Sequence, residues 1–357
     1  MKKLRITAYG DGKTGCWMAR IKRPLNELEK LGHHVDYLSK GDIAFEKNDI
    51  VIFNNLFKLP QNETIDLVAY AKSKNVKIVY DTDDAQDEVP VHNLSHNRAK
   101  PLLESFNIMT EAADLITTTT PELAKHLCVK GNKPIKVLPN CLDPKDFPPR
   151  MRSKKLRIGF CGSTSHIVDI MLVLPAIRKL QQKYDFEFVV FGFSMNNIDN
   201  FRREFKGTSI ELYVDDFVKA MKRIKHEWHP WVDVKDYAKK IAALGLDIGL
   251  CPLEDNAFNQ KKSCIKFYEY ALVGTLAVAS DVLPYSREPV MKALDWYEAL
   301  ETLINDPQRC EFEAQGQRNW VLQNRDITKM GKVYEELFLN LIKKNGNKSR
   351  TSKIICK

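Results

Sequence analysis

The sequence lacks the cysteine pattern of a disulfide-bonded protein or of a zinc site. Its eight cysteines stand singly, and no C-x-x-C pair occurs. Residues 1–9 lack the longer apolar stretch and the small-residue cleavage site of a signal peptide, and no apolar run reaches the roughly 18 residues of a membrane-spanning helix. We therefore predict free thiols, a reducing compartment and a cytoplasmic protein.

Three familiar enzyme motifs are absent or incomplete. The sequence contains neither a G-x-x-x-x-G-K-[ST] phosphate loop nor a G-x-S-x-G nucleophile elbow. Gly10, Gly12 and Gly15 match a dinucleotide-binding fingerprint, but no clear acidic residue ends a second strand about 20 positions later, because Asp36 lies inside its predicted strand. These gaps argue against a phosphate-loop NTPase, a hydrolase of the elbow type and an NAD-binding enzyme.

The formal net charge of +9 is distributed unevenly. Residues 343–357 contain no acid, and their positive side chains are Lys343, Lys344, Lys348, Arg350, Lys353 and Lys357. Such a polar segment cannot bury enough apolar surface to fold alone, which predicts a flexible, solvated tail. The alternative is that the tail contacts an anionic membrane surface or a nucleic acid.

Residues 1–150 predict one Rossmann-like domain, because short β-rich runs alternate there with helical patterns. The predicted strands are Leu4–Tyr9, His34–Leu38, Asp49–Asn54, Lys77–Tyr80, Asp114–Thr118 and Ile135–Leu138. The predicted helices are Cys16–Leu31, Ile65–Ser73, Lys100–Ala112 and Pro121–Leu127.

The same pattern starts again after a proline-rich, charged linker at residues 148–155. The predicted strands are Leu156–Cys161, Phe186–Phe191, Ile210–Val214, Ile248–Cys251 and Leu276–Ala279, and the predicted helices are Ile167–Lys183, Val234–Leu244, Cys264–Leu272, Trp296–Ile304, Glu311–Gln323 and Ile327–Lys343. We expect an α/β fold of two facing Rossmann-like domains, residues 1–150 and 151–326, with a cleft between the carboxyl ends of their sheets. Residues 327–342 are expected to pack back on the first domain.

The segment after the predicted strand Ile248–Cys251 holds a dense group of candidate binding residues. Ser263 precedes a helical pattern and is expected to cap it, so that the start of the helix faces the cleft and attracts anions. Lys261, Lys262 and Lys266 stand at or within the first turn, where the helix dipole does not favour cations. A diphosphate would supply their counter-ion; the alternative is that they are solvated lysines.

A hydroxyl-rich turn follows the first strand of the second half. Gly162 and Ser163 begin this turn, whose backbone N–H groups could hold a phosphate, with His166 as a further contact with the phosphate or leaving group. The alternative for His166 is a surface position.

Acidic residues cluster after the predicted strand Lys77–Tyr80. Asp81, Asp83 and Asp84 are expected at the cleft, where a carboxylate could orient or deprotonate an acceptor hydroxyl or stabilise an oxocarbenium-like transition state. Capping and solvated loop positions are the alternative. Asp81-Thr82-Asp83 also matches a metal-binding D-x-D motif, but such triplets arise easily by chance and lysines already supply cations. We therefore predict neither a metal nor a cofactor.

Three segments taken in order resemble the retaining glycosyltransferases of family 4, from about Gly10 to Glu336. Pro252–Tyr285 is similar to the donor-site segment of the family, and Lys136–Phe147 to the "PNG-V-D…F" end of its first domain, with Cys141 in place of glycine. Gly15–Pro24 resembles the turn and the Arg- and Pro-bearing first helix of a subset. The resemblance implies the B-type architecture and transfer of a sugar from a nucleoside-diphosphate sugar with retention of configuration.

The resemblance assigns Glu269 to the ribose hydroxyls of the donor; the alternative is an i, i+3 salt bridge with Lys266. The family's second glutamate, eight residues earlier, falls on Lys261, which is a departure. By position, Asp81 falls where many family members have a histidine near the reacting face of the sugar.

The sugar contact is consequently expected from neighbouring residues. Glu254 or Asp255 is the available acid, and Asn259 or the backbone near Phe258 is expected to touch the sugar. The family's arginine and lysine near the first turn of the second domain are replaced here by residues 162–166.

The acceptor side and the partners complete the hypothesis. Gly12, Gly15, Arg20 and Asp84 are assigned to a cleft or acceptor loop, and the acceptor is a saccharide, a lipid-linked sugar or modified DNA. Three alternatives stay open: a bacteriophage-type DNA glucosyltransferase of the same fold, a nucleotide-sugar epimerase, and a non-catalytic protein that binds sugar nucleotides or nucleic acid.

Overall fold

Two parallel β-sheets form the centre of the protein. The computed structural model describes residues 2–10, 12–38, 47–55, 60–93, 95–131, 133–193 and 195–343. The first sheet has the order β2-β1-β3-β4-β5-β6, formed by Arg5–Tyr9 (β1), His34–Leu38 (β2), Ile50–Asn54 (β3), Lys77–Asp81 (β4), Leu115–Thr118 (β5) and Ile135–Val137 (β6). The second has the order β12-β11-β10-β7-β8-β9, formed by Arg157–Cys161 (β7), Glu187–Phe191 (β8), Glu227–His229 (β9), Ile248–Cys251 (β10), Leu276–Ser280 (β11) and Met291–Ala293 (β12).

Helices connect the strands and cover both sheets. In the first half they are Gly15–Trp17, Met18–Lys22 (a π-helical turn), Arg23–Lys30, Gln61–Ser73, His96–Ala99, Leu103–Ala112 and Pro121–Lys130. In the second they are Ile167–Met171, Leu174–Leu180, Met195–Glu204, Ser209–Met221, Val234–Ala243, Ile265–Val273, Leu283–Ser286, Trp296–Asn305, Pro307–Asn324 and Gly331–Lys343. Single 3₁₀ turns occupy Gln86–Glu88, Lys100–Leu102, Pro144–Asp146, Thr164–His166, Asn259–Lys261 and Ile327–Lys329.

The strand sequences explain the parallel sheets. Ile50–Asn54 and Leu276–Ser280 are buried along their whole length, as expected when helices cover both faces of a parallel sheet. The predicted α/β class with two Rossmann-like sheets is confirmed.

One predicted strand is wrong. Ile210–Val214 lies inside the helix Ser209–Met221. The buried residues Ile210, Val214 and Phe217 recur at spacings of four and three, which is the period of a helix. The five-residue window that predicted a strand was too short to separate this period from alternation.

Shorter elements also depart from the prediction. The edge strands β9 and β12, of three residues each, were not predicted. The helix Met195–Glu204 was not predicted. The predicted helix Ile167–Lys183 is divided into Ile167–Met171 and Leu174–Leu180.

The last described helix crosses back to the first half of the chain. Tyr334 and Phe338 pack in one core cluster with Leu25 and Leu28 of the helix Arg23–Lys30. The predicted basic tail lies, apart from Lys343, outside the described residues. In the part of the chain that the structure describes, the cysteines are free thiols, and no helix combines the length and apolar character needed to span a bilayer.

The order of the strands positions the cleft. In each sheet the chain builds outward on one side of its first strand and then continues on the other side, so the switch points lie between β1 and β3 and between β7 and β10. Open α/β sheets bind ligands beyond the carboxyl ends of the strands at such points. The loops after β7 and β10 are the residues 162–166 and 252–264 that carry the predicted donor site.

Candidate functional site

A cavity of about 380 Å³ lies between the two sheets and is lined by residues from both domains. Ten of the sixteen predicted site residues line it: Gly15, Asp83, Asp84, Gly162, Ser163, His166, Lys262, Ser263, Lys266 and Glu269. The other six do not: Gly12, Arg20, Asp81, Glu254, Phe258 and Asn259. The cavity therefore combines the acidic loop after β4, the turn after β7 and the start of the helix after β10.

The helix Ile265–Val273 starts at the cavity without a side-chain cap. Its N-cap residue is Cys264, so the prediction that Ser263 caps the helix is wrong. The Ser263 hydroxyl oxygen accepts a hydrogen bond from Asn140 Nδ2 at 2.8 Å instead. Because Ile265 and Lys266 line the cavity, the uncapped first turn is positioned to offer N–H groups to an anion.

The three lysines of this segment are not equivalent. Lys261 pairs with Glu88, and Lys262 pairs with Asp84 at 2.9 Å, both across the cleft. Burial alone would lower the pKa of Lys262, but the Asp84 carboxylate outweighs it and raises that pKa. The counter-ions of Lys261 and Lys262 are thus carboxylates of the protein rather than the diphosphate expected from the sequence.

Lys266 is the exception among the lysines. Its Nζ lies 4.2 Å from the centroid of the Phe160 ring and forms no ion pair with any residue of the described ranges. A Cβ at position 162 would lie 3.2 Å from this Nζ, so glycine allows the ammonium to approach the turn after β7. Burial lowers the pKa of Lys266, because desolvation disfavours its charged form and no ion pair among the described residues offsets it.

Glu269 lies one helical turn beyond Lys266. The alternative of a salt bridge between the two does not occur; instead Tyr237 Oη donates a hydrogen bond to Glu269 Oε2 at 3.1 Å. Burial raises the pKa of Glu269 to about 7. A desolvated carboxylate with one remaining acceptor oxygen suits a ligand that brings hydroxyl donors.

The turn after β7 presents a histidine to the cavity. His166 Nδ1 lies 2.6 Å from Asp169 Oδ2, and the other oxygen of Asp169 accepts the backbone N–H of Glu254 at 2.8 Å. Burial and the nearby Lys266 ammonium lower the pKa of His166. A neutral His166 that donates from Nδ1 to Asp169 would carry its lone pair on Nε2.

Asp81 and Arg20 lie behind the cavity rather than in it. Arg20 donates to both carboxylate oxygens of Asp81, from Nε at 3.1 Å and from Nη2 at 2.6 Å. Asn54 and Thr117 donate to the same carboxylate, and both partners of the ion pair are only 2% exposed. A carboxylate with this many partners is not available to a substrate.

Asp83 faces the cavity beside Asp84, and among the described residues no cationic side chain lies at hydrogen-bond distance from its carboxylate. Its carboxylate accepts from the Cys16 thiol at 2.9 Å, and Asn55 holds that thiol from the other side at 2.8 Å. Burial and the neighbouring Asp84 raise the pKa of Asp83. Among the described residues, no group of three or more His, Cys, Asp or Glu side chains could hold a metal ion.

The residues expected near the sugar hold the loop after β10 together. Asn259 Nδ2 donates to the backbone oxygen of Glu254 at 2.9 Å, and the Glu254 carboxylate pairs with His92 at 2.8 Å. Phe258 packs into the core cluster of the first domain. Asp255 accepts from Gln260.

An aromatic group at the cavity was missed. Trp231 lines the cavity with 46% of its surface exposed, and its ring stacks on Phe191 at a centroid distance of 6.3 Å and an interplanar angle of 10°. Tyr237 completes the group, 5.6 Å from each of the other two rings. The run Trp228-His229-Pro230-Trp231 was a sequence signal for it. Such a flat, half-exposed ring is suited to stacking against a planar ligand.

Comparison with known proteins supports the architecture. No protein-family model and no curated protein sequence matches the chain. An alpha-glucosyltransferase in complex with UDP has a similar structure, with a TM-score of 0.64 and 12% identity over 95% of this chain and 100% of that one. A second structure of an alpha-glucosyltransferase, with UDP and a 13-mer DNA, gives a TM-score of 0.61 and 13% identity over 95% and 100%.

Two further neighbours share the two-domain arrangement. The catalytic domain of starch synthase IV from Arabidopsis thaliana, bound to ADP and acarbose, has a TM-score of 0.63 and 12% identity over 96% of this chain and 100% of that one. TarM has a TM-score of 0.56 and 10% identity over 82% of this chain, which spans about half, 54%, of TarM. The chain therefore has the fold of the B-type glycosyltransferases.

Proposed function

We propose that the chain is a glycosyltransferase that moves a sugar from a nucleoside-diphosphate donor to an acceptor hydroxyl. The observation that carries this proposal is Lys266, a half-buried ammonium with no ion-pair partner in the described ranges, at an uncapped helix start in the interdomain cavity. Glu269, one turn further, adds a carboxylate suited to ribose hydroxyls. The fold shared with enzymes whose structures contain UDP or ADP supports the same ligand class.

Each part of the donor has a proposed contact. The diphosphate lies between Lys266 and the turn after β7, close to the start of the helix Ile265–Val273. The N–H of Gly162 is not available to it, because it donates to the backbone oxygen of Phe191 at 2.9 Å, so the turn would contribute the N–H groups of residues 163–165. The ribose meets Glu269, and the base stacks on Trp231. The sugar then points toward Asp83, on the opposite wall of the cavity.

The proposed reaction replaces one bond at the anomeric carbon. The bond to the diphosphate oxygen breaks, the nucleoside diphosphate leaves with the electron pair, and the acceptor oxygen bonds to the same carbon. The departing diphosphate takes the proton of the acceptor hydroxyl. Lys266 and the helix start stabilise the developing negative charge, and Asp83 orients the hydroxyl as a hydrogen-bond acceptor.

Retention of configuration and independence of metal belong to this proposal. Retention rests on the resemblance to family 4. Independence of metal rests on Lys266, which supplies the charge that a divalent ion would otherwise provide. The cytoplasmic location and a peripheral contact of the basic tail with a membrane are likewise predictions.

Two acceptor classes follow from different observations. A saccharide acceptor is favoured by the starch synthase structure, which contains acarbose. A DNA acceptor is favoured by the alpha-glucosyltransferase structure with DNA and by the six positive charges of residues 343–357. We place the saccharide first, because the basic charges lie in a segment whose composition predicts a solvated tail.

The test is a screen of UDP-, ADP- and GDP-sugars for slow hydrolysis and transfer, read by mass spectrometry, with and without excess chelator. We expect turnover of at least one donor, undiminished by chelator and abolished by Lys266→Met. Lys235→Met is the matched control, since its side chain is 76% exposed. If none of the donors releases an intact nucleoside diphosphate, the proposal is contradicted. Loss of activity in chelator with rescue by manganese would refute the metal-independent part of the proposal.

A further inference from the structure

A line of hydrogen bonds crosses from the first domain to the second at the wall of the cavity. Arg20 Nη1 donates to Asn140 Oδ1 at 3.3 Å, and Asn140 Nδ2 donates to Ser263 Oγ at 2.8 Å. Asn140 and Ser263 line the cavity, whereas Arg20 is buried behind it. None of these contacts was part of the expected donor site.

The direction of the line is determined by Arg20. A guanidinium has five N–H donors and no acceptor, so the oxygen of the Asn140 amide must face it. The Asn140 NH₂ group then faces Ser263 and donates to its oxygen. The Ser263 hydroxyl hydrogen cannot point back along the same line, and it has no hydrogen-bond acceptor among the residues that the structure describes.

Arg20 itself cannot turn. Its Nε and Nη2 are held by Asp81, and Nη1 also donates to the backbone oxygen of Leu138 at 2.6 Å. The π-helical turn Met18–Lys22 places this side chain inside the domain, where it is 2% exposed. The polarity of the Asn140 amide is therefore set by a rigid, buried ion pair.

We propose that Arg20 and Asn140 are positioning residues that turn the Ser263 hydroxyl hydrogen into the cavity, where it binds a phosphate oxygen of the donor nucleotide. The identity of the anion rests on the proposed function; the orientation of the hydroxyl does not.

The charges around Ser263 favour an anion on the side of the first cavity, where Lys266 lies. Ser263 also borders a second cavity of about 260 Å³, but its arginines, Arg287 and Arg325, are paired with Glu122 and Glu288. Lys266, which lacks such a partner among the described side chains, is in the first cavity. An anion is consequently attracted to the side where Lys266 lies.

The hydrogen bond between Asn140 and Ser263 links the two domains. Asn140 belongs to the first domain and Ser263 to the second, so the hydroxyl is oriented only while the two domains are in contact at this point. A phosphate that binds the oriented hydroxyl would in turn favour the closed arrangement.

Four variants test the direction of the line by calorimetry with UDP and ADP, with uridine and adenosine as probes that lack phosphate. Ser263→Ala removes the donor, so nucleoside diphosphate affinity should fall about tenfold, the loss of one hydrogen bond to a charged group. Asn140→Asp, which is nearly isosteric, turns the hydroxyl hydrogen away and should weaken binding at least as much. Asn140→Ala leaves the hydroxyl free to rotate and should cost less, about threefold. In the Ser263→Ala background, Asn140→Ala should have no further effect.

Two readings separate this role from a structural one. Nucleoside affinity should be unchanged in every variant. Asn324→Asp makes the same change of charge as Asn140→Asp at an exposed position, and this control should bind the diphosphates like the wild type. Wild-type affinity for diphosphates in Asn140→Asp, or equal losses for nucleosides and diphosphates, would overturn the proposal.

A second measurement does not depend on the ligand. In protein labelled with ¹⁵N-asparagine, the side-chain NH₂ signals of Asn140 are those missing from Asn140→Ala, and Ser263→Ala should shift both. Unshifted signals would show that Asn140 does not donate to Ser263, whatever the enzyme transfers. If these signals shift but neither diphosphate binds the wild type, the donor assignment fails while the oriented hydroxyl stands.

Discussion

Two pairs of charged side chains lie in the same cleft region and differ in how their charges are neutralised. Behind the cavity, Arg20 and Asp81 neutralise each other and take further hydrogen bonds from Asn54 and Thr117. At the cavity, Lys266 and Glu269 lie one helical turn apart without pairing. Both were candidates on sequence, but only the second leaves charge available to a ligand.

The comparison separates stability from binding. A buried pair with complete hydrogen bonding holds the fold, and breaking it leaves an uncompensated charge. A half-buried ammonium and a half-buried carboxylate that do not pair with each other are partly desolvated without compensation, so they contribute little to stability and can gain from a bound ligand. The perturbed pKa values of Lys266 and Glu269 have this cause.

The largest expected effect is on stability. Arg20→Met should lower the free energy of unfolding by about 3–5 kcal/mol, because it leaves the Asp81 carboxylate buried without a cation. Lys266→Met should leave that free energy unchanged or raise it, since a desolvated charge is replaced by an apolar chain of similar length. Urea unfolding of both variants would measure the difference, and equal losses would remove the distinction between the two groups.

Trp231 tests whether the cavity binds a base. Trp231→Ala should weaken binding of the nucleoside diphosphate by roughly 1–3 kcal/mol through lost stacking, while binding of inorganic pyrophosphate should not change. Phe312→Ala, at a site that is 77% exposed, is the control. Equal losses for both ligands, measured by calorimetry, would place the effect in the fold rather than in the base.

Glu269 should make the affinity for the donor depend on pH. Its pKa of about 7 means that the carboxylate, the form that accepts hydrogen bonds from ribose hydroxyls, becomes dominant as the pH rises through neutrality. Affinity for the nucleotide sugar identified by the screen should therefore rise about tenfold from roughly pH 6 to 8. A nucleotide sugar has no phosphate group that titrates in this range. Glu269→Gln should bind weakly at every pH, and a wild-type profile in this variant would exclude the ribose contact.

The smallest effect is expected from the basic tail. Ending the chain at Ile342 removes the charges of residues 343–357 and should leave donor affinity unchanged. If the acceptor is duplex DNA, the slope of log affinity against log salt should fall by about 0.9 for each lost phosphate contact. Parallel measurements on DNA and on anionic lipid vesicles would show which surface, if either, the tail meets. Identical slopes on both would leave the tail without a role in acceptor binding.

Much of the fold could be predicted, because its central strands are continuous apolar runs between helical patterns. Ile248–Cys251 and His34–Leu38 occur at the predicted bounds. The edge strands β9 and β12 were not predicted, and the helix Ser209–Met221 was assigned wrongly in part, since short windows do not separate the two periods.

The site was less predictable, for a physical reason. The spacing of Lys266 and Glu269 along one helix is visible in the sequence. Whether Asp81 faces the cleft depends on Arg20, 61 residues away, and on a π-helical turn with no clear signature. Whether a lysine has a free charge depends on carboxylates of the other domain, such as Glu88 and Asp84. Such distant contacts are set by tertiary packing.

The affinity of Lys266→Met for UDP and ADP, measured by calorimetry beside Lys235→Met, tests the central claim most directly. If Lys266 binds the diphosphate, the preferred nucleoside diphosphate should bind the wild type and Lys235→Met with the same affinity. It should bind Lys266→Met at least about tenfold more weakly, while the free energy of unfolding of Lys266→Met is unchanged or higher. Wild-type affinity in Lys266→Met would contradict the account, because the unpaired charge would then have no part in binding the donor.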